Sequence, residues 1–152
     1  MKEQNRNLKP ATLCIHAGTH LDPRTGGVNS PIFTSTAYAY PNPANENVYP
    51  RYFNVPNQQV IARKLAALEK GEDALVLGSG MAAISTLLFA YLKPGDHALF
   101  QADIYGGTYH FVASELTRFG IEVSFGHTVA QFQAAVRPNT RLVYVESPSN
   151  PL

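Results

Sequence analysis

Ala74-Leu75-Val76-Leu77-Gly78-Ser79-Gly80-Met81-Ala82-Ala83-Ile84 is the stretch that decides the fold. Its first four residues form an apolar run of strand length, bounded downstream by glycines. Gly78-Ser79-Gly80 then makes a tight turn, and residues 81–93 read as a mostly apolar helix. A strand entering a helix through small residues is the opening half of a βαβ unit.

The same grammar continues toward the carboxyl end. Pro94-Gly95-Asp96 is a turn, residues 97–101 a second strand, and residues 107–119 a helix closed by Gly120. Residues 121–125 form a third strand, 129–136 a short helix and 142–145 a fourth strand. This βαβαβαβ order predicts a mostly parallel sheet with right-handed crossovers. Ligands on such sheets sit outside the carboxyl ends of the strands. Those ends carry Gly78-Ser79-Gly80, Gln101-Ala102-Asp103-Ile104-Tyr105, Phe125-Gly126 and Glu146-Ser147-Pro148-Ser149-Asn150.

Upstream, Val60, Ile61, Leu65 and Leu68 fall on one face at helical spacing, and Gly71 stops that helix. Residues 1–56 differ in character. Pro10, Pro23, Pro31, Pro41, Pro43, Pro50 and Pro56 break both the helical and the strand period. Yet Ile32, Phe33, Tyr38, Tyr40, Tyr49, Tyr52 and Phe53 are too many large apolar groups for a plain linker. The expectation is an extended arm over 1–56 lying against its own domain or a neighbour, followed by a domain over 57–152.

Composition narrows the function classes. Charged residues are only 15 % of the 152, with a net charge of +1, which excludes a highly charged disordered tail. No basic patch favours nucleic acid or an anionic membrane. The single Cys14 excludes an internal disulfide framework and points to a reducing compartment. The start lacks the apolar core of a signal peptide, and the apolar stretch near residues 84–92 is too short to span a bilayer. A soluble cytoplasmic protein is expected.

Four segments carry candidate chemistry. The 78–83 turn exposes backbone N–H groups at the positive end of a helix, a ready anion site. A ligand-free turn satisfies the same residues. So does the dinucleotide fingerprint G-x-G-x-x-A, with Asp103 placed for a ribose hydroxyl. Tyr105, followed by Gly106 and Gly107, sets a ring beside pliable backbone where it could stack on a flat cofactor or simply cover a helix start. Tyr49-Pro50-Arg51 pairs a phenol with a guanidinium, which suits a phosphate; a surface arginine beside a packed tyrosine is the plainer reading. Glu146 and Asn150 can both face the crevice from one strand end, or belong to a simple turn. His16 and His20 have i, i+4 spacing, but Gly18 between them argues against a helical metal site, and no metal is expected.

Taken in order, these segments resemble the pyridoxal-phosphate enzymes of cysteine and methionine metabolism. That group includes cystathionine gamma-synthase, the cystathionine lyases, methionine gamma-lyase and the O-acylhomoserine sulfhydrylases. The resemblance runs from His16-Ala17-Gly18 through Pro31-Ile32-Phe33-Thr34-Ser35-Thr36, Tyr49-Pro50-Arg51 and Ser79-Gly80-Met81-Ala82-Ala83-Ile84. It continues through Leu92-Lys93-Pro94-Gly95-Asp96, Tyr105-Gly106-Gly107-Thr108-Tyr109 and Val145-Glu146-Ser147-Pro148-Ser149-Asn150-Pro151.

The resemblance implies an aminotransferase-like (fold type I) large domain and the cofactor pyridoxal 5′-phosphate. It implies that Gly80 and Met81 give backbone N–H groups to the cofactor phosphate and that Tyr105 stacks on the pyridine ring. Asn150 would lie near the phenolic oxygen. Tyr49 and Arg51 would reach the phosphate of a neighbouring subunit, Tyr49 also assisting proton transfer. The implied protein is a homo-oligomer, a dimer of dimers, acting on an amino-acid substrate by elimination or replacement at the side chain.

Two departures stand out. After Tyr-x-Arg the family has two residues and then Asn-Pro-Thr, whereas Asn54-Val55-Pro56-Asn57 carries one residue more. The family's Schiff-base lysine follows a serine by three positions. None of Lys2, Lys9, Lys64, Lys70 and Lys93 does so. That lysine, the aspartate that pairs with the pyridine nitrogen and the arginine that holds the substrate carboxylate are all expected beyond Leu152. The expectation is a chain cut inside its cofactor domain and inactive alone.

Overall fold

A computed structural model describes residues 8–39 and 48–149. The chain divides into two compact units, Met1–Val76 and Leu77–Leu152.

In the first unit, α1 (Pro10–His16) begins with proline at its first turn, where the missing N–H would have no partner anyway. The sequence predicts extended chain here. Only Leu13 of the seven residues is buried, so no apolar period announces the helix. α1 packs on α2 (Pro56–Glu69), which also starts on a proline. Lys64 Nζ donates to the carbonyls of Cys14 (2.8 Å) and Ile15 (3.3 Å), placing a cation at the negative end of α1. Gly18 then passes against the α2 backbone: a Cβ there would lie 2.7 Å from Val60 O, and its φ is +69°. Only glycine meets both conditions at low cost. The predicted face of α2 is not the buried one. Ile61 and Leu65 are exposed, and Ala66 is the one buried residue of α2. α2 ends at Lys70 in the left-handed region, with Gly71 N–H donating to Ala66 O at 2.8 Å. Upstream, Asn57 accepts from Phe33 N–H and donates to Phe33 O, mimicking a strand partner for an extended segment.

In the second unit, α3 (Gly80–Tyr91) is capped by Ser79, whose Oγ accepts from Ala82 N–H at 3.0 Å. Three strands form the sheet among the described residues: β1 (His97–Gln101), β2 (Glu122–Gly126) and β3 (Thr140–Tyr144), in the order β2-β1-β3. Both pairings are parallel, as the alternating pattern predicts. Between β1 and β2 run α4 (Gly106–His110) and a wider π-helical stretch, Phe111–Leu116. Between β2 and β3 lies α5 (Val129–Ala135), opened by a capping box of Thr128 and Gln131. Leu88, Ala98, Phe100, Val112 and Leu116 are fully buried and form the centre of the core. Phe100 faces Phe125 and Tyr144 across the two pairings, giving an aromatic row over all three strands.

The predicted first strand does not form. Residues 74–77 belong to no helix or strand and have no strand partner among the described residues, and Leu75 is exposed. An apolar run expresses a preference for burial; pairing needs a second strand within 5 Å, which a local pattern cannot supply.

His97 closes the other end of the sheet. It is fully buried, with Nδ1 2.7 Å from Thr140 Oγ1 and Nε2 2.9 Å from Ser124 Oγ, so one ring joins β1 to both neighbours. Burial, and then the Arg137 guanidinium, hold its pKa below the ordinary histidine value, while Glu122 acts the other way.

Candidate functional site

The carboxyl ends of β1 and β3 and the amino end of α3 lie in the second unit. The first-turn amides of α3, Gly80 and Met81, precede the start of the intrahelical ladder and have no acceptor within the helix. No acidic residue stands in that turn to repel an anion. A Cβ built on Gly78 or Gly80 would meet nothing within 4 Å, so the space beside these two glycines is open. Behind them, the buried Thr108 Oγ1 donates to Met81 Sδ at 3.7 Å, tying the first turn of α3 to the first turn of α4.

Tyr105 caps the amino end of α4 and is 49 % exposed. Its ring lies over Gly107: a Cβ at 107 would sit 2.5 Å from Tyr105 Cε1 and 3.0 Å from Cζ. Its backbone N–H donates to Glu146 Oε2 at 2.9 Å. The other carboxylate oxygen, Oε1, accepts from Tyr144 Oη at 2.9 Å. Desolvation, then the Glu146 hydrogen bond and charge, push the Tyr144 phenol up to about 12. This phenol stays protonated and donating at any physiological pH.

The second unit therefore joins three of the residues singled out in the sequence: Gly80, Met81 and Tyr105. Tyr49 and Arg51 meet each other in the first unit, where Arg51 Nη1 donates to Tyr49 Oη at 2.8 Å and the guanidinium stands 5.3 Å from the ring centroid. Asn150 lies outside the described residues. Asp103, the candidate ribose ligand, has its Oδ2 3.0 Å from His127 Nδ1 in an exposed pair. Sequence reasoning missed Thr108, and it saw Glu146 only as facing the crevice. The glycine pair after Tyr105 was the available sign that something bulky leans on α4.

An anion-ready helix start beside an exposed aromatic ring fits a flat, phosphorylated cofactor. The amides match a phosphate in charge and donor type, and the half-exposed ring offers a free face.

Comparison with known proteins agrees with this chemistry. The family model for Cys/Met metabolism PLP-dependent enzymes matches residues 11–152. Cystathionine gamma-lyase of Bacillus subtilis is 37 % identical over 149 residues, covering 95 % of this chain and 39 % of that protein. The crystal structure of metB from Corynebacterium glutamicum superposes with a TM-score of 0.89 at 35 % identity, covering 97 % of this chain and 39 % of the other. A putative O-acetylhomoserine (thiol)-lyase from Campylobacter jejuni, solved with a pyridoxyl-lysine monophosphate, superposes with a TM-score of 0.84 at 29 % identity, covering 95 % and 38 %. The chain thus spans about two fifths of the length of the curated relatives it matches. No helix among the described residues is long and apolar enough to cross a membrane. The likeness to these solved structures makes the parallel sheet and its helices part of a fold type I large domain, and the chain belongs to the family of Cys/Met metabolism PLP-dependent enzymes.

Proposed function

We propose that this chain provides the amino-terminal part of a PLP-dependent enzyme that eliminates or replaces a group on the side chain of a sulfur amino acid, in cystathionine or homocysteine metabolism. The observation that carries the reading is the pairing, inside one compact unit, of open α3 amides with the Tyr105 ring held over Gly107. Pyridoxal 5′-phosphate, when bound, supplies an electron sink for bond cleavage at the amino-acid substrate.

The chain's own residues bind and orient. Gly80 and Met81 N–H groups donate to the phosphate, aided by the positive end of α3. Tyr105 presents its ring face to the pyridine and excludes water from that side. Asn150 is assigned to the phenolic oxygen. Tyr49 and Arg51 are assigned to the phosphate held by a neighbouring subunit of a homo-oligomer, a dimer of dimers. The Arg51 hydrogen bond to Tyr49 Oη holds the phenol and the guanidinium together, and Tyr49 is assigned a part in proton transfer. A cytoplasmic setting belongs to the same reading.

Within residues 77–152 the one lysine is Lys93, which follows the carboxyl end of α3. A helix of 12 residues puts it about 18 Å from the amides at the other end. Residues 1–152 are therefore assigned cofactor binding without the Schiff-base lysine, and no turnover alone. Titration with pyridoxal 5′-phosphate should give saturable, non-covalent binding, with no turnover of cystathionine or homocysteine. Tight saturable binding of NAD in its place would overturn the assignment in favour of a dinucleotide module. Turnover by 1–152 would overturn the lysine argument.

A further inference from the structure

We propose that Glu146 is a positioning residue that sets the place of Tyr105 through the backbone, and through it the affinity for the flat cofactor; this rests on the stacking role given to Tyr105 above. The β1–β3 pairing ends at Phe100 and Tyr144. Beyond that point side chains continue the link between the strands. Gln101 Oε1 accepts from Glu146 N–H at 3.1 Å, which fixes the start of the loop after β3. The Glu146 side chain then crosses back to β1's own exit loop and takes the Tyr105 N–H at 2.9 Å. Its second oxygen is held by Tyr144 Oη, itself anchored in the aromatic row by Phe100 at 5.5 Å. So the carboxylate is bound at both oxygens, to a rigid strand on one side and to the Tyr105 backbone on the other.

This arrangement places Tyr105 more tightly than its own contacts do. The ring is half exposed, and its neighbour Gly107 offers no side chain. As the N-cap of α4, Tyr105 makes no capping bond with its side chain. The amide held by Glu146 is thus the link that sets where the Cα of Tyr105 sits relative to the sheet. Charge-assisted bonds of this kind are short and about twice as strong as neutral ones, so they hold geometry well.

The variants separate geometry from charge. Glu146→Gln keeps an oxygen for the Tyr105 N–H and turns an amide N–H toward Tyr144 Oη, which can accept. Glu146→Ala removes both links. In the cofactor-free protein, hydrogen exchange at the Tyr105 amide should quicken by about tenfold or more in Glu146→Ala, with the β1 amides unchanged as an internal check on folding. Pyridoxal 5′-phosphate should bind about tenfold more weakly to Glu146→Ala, and Glu146→Gln should recover most of both losses. In a Tyr105→Ala background, adding Glu146→Ala should cost no further affinity. Unchanged exchange at Tyr105 in Glu146→Ala overturns the link itself. Faster exchange with unchanged cofactor affinity, where Tyr105→Ala does weaken binding, overturns the positioning role. If Tyr105→Ala alone leaves affinity unaltered, the stacking assignment falls, and the proposal falls with it for that separate reason.

Discussion

Replacing Gly107 by alanine should separate the stability of the fold from its capacity to bind a flat cofactor. The added Cβ would stand 2.5 Å from Tyr105 Cε1, closer than real Cβ contacts come, and 3.2 Å from Cδ1. The backbone at 107 is helical, so the methyl itself fits α4, and alanine gains roughly 0.5–1 kcal/mol of helix propensity over glycine. The clash must be relieved by turning the Tyr105 ring. That ring is 49 % exposed, so it moves into water without opening a cavity. A displaced rotamer costs about 0.5–1.5 kcal/mol, which offsets the propensity gain. The thermal midpoint should therefore move by no more than a few degrees. Cofactor binding should suffer more. An aromatic pair contributes about 0.5–1.5 kcal/mol beyond its area, so losing the ring's position weakens pyridoxal 5′-phosphate about two- to tenfold. Absorbance titration of the cofactor and a melting curve on the same sample measure both quantities. A large loss of stability with intact binding would refute the reasoning, because it would mean that the ring is a structural prop for α4 and not a free face.

Four further outcomes follow from the same geometry. Gly18→Ala forces a left-handed residue against the α2 backbone and should cost roughly 1–3 kcal/mol in a denaturant titration, with α1 released first by hydrogen exchange. Leu88→Ala empties a fully buried position and should cost about 2–5 kcal/mol in the same assay. Ser79→Ala removes the cap on Ala82 N–H, costing about 1 kcal/mol of helix stability. His97 gives a pH dependence: its folded pKa lies below the ordinary value, so acid favours the unfolded state, which binds the proton more readily. Its contribution is complete above about pH 6.5 and is lost as the pH falls below it. The melting temperature should drop over that range, and the drop should be shallower in His97→Gln; an equal slope in both proteins would show that other groups govern it.

The two apolar runs, residues 74–77 and β1, look alike in sequence yet differ in structure. β1 has His97, Ala98, Leu99 and Phe100 buried; it is the central strand, and Ala98 and Phe100 lie in the core with Leu88, Val112 and Leu116. Residues 74–77 are wholly apolar yet have no strand partner among the described residues, and Leu75 is exposed. Composition expresses which segments want burial; the neighbours that grant it come from far along the chain. α2 shows the same limit on a helix. Its apolar stripe of Ile61 and Leu65 was legible, but both are exposed, and the chain after α1 approaches α2 through glycine at Gly18 against Val60 O, where backbone clearance and not hydrophobicity decides.

The site divides along a similar line. The α3 start was legible because its geometry is local: small residues between an apolar run and a helix leave first-turn amides without an intrahelical acceptor, whatever the rest of the chain does. The place of Tyr105 was not, because it depends on a hydrogen bond to a residue 41 positions away. What the sequence did carry was the consequence of that geometry. A ring leaning on a helix excludes any side chain beneath it, and Gly107 records the exclusion. A glycine within a helical turn costs stability, so its presence next to an exposed aromatic asks for a compensating role. Here that role is clearance for the ring, and the carboxylate of Glu146 adds a second constraint, by holding the Tyr105 amide to Tyr144 at the end of β3.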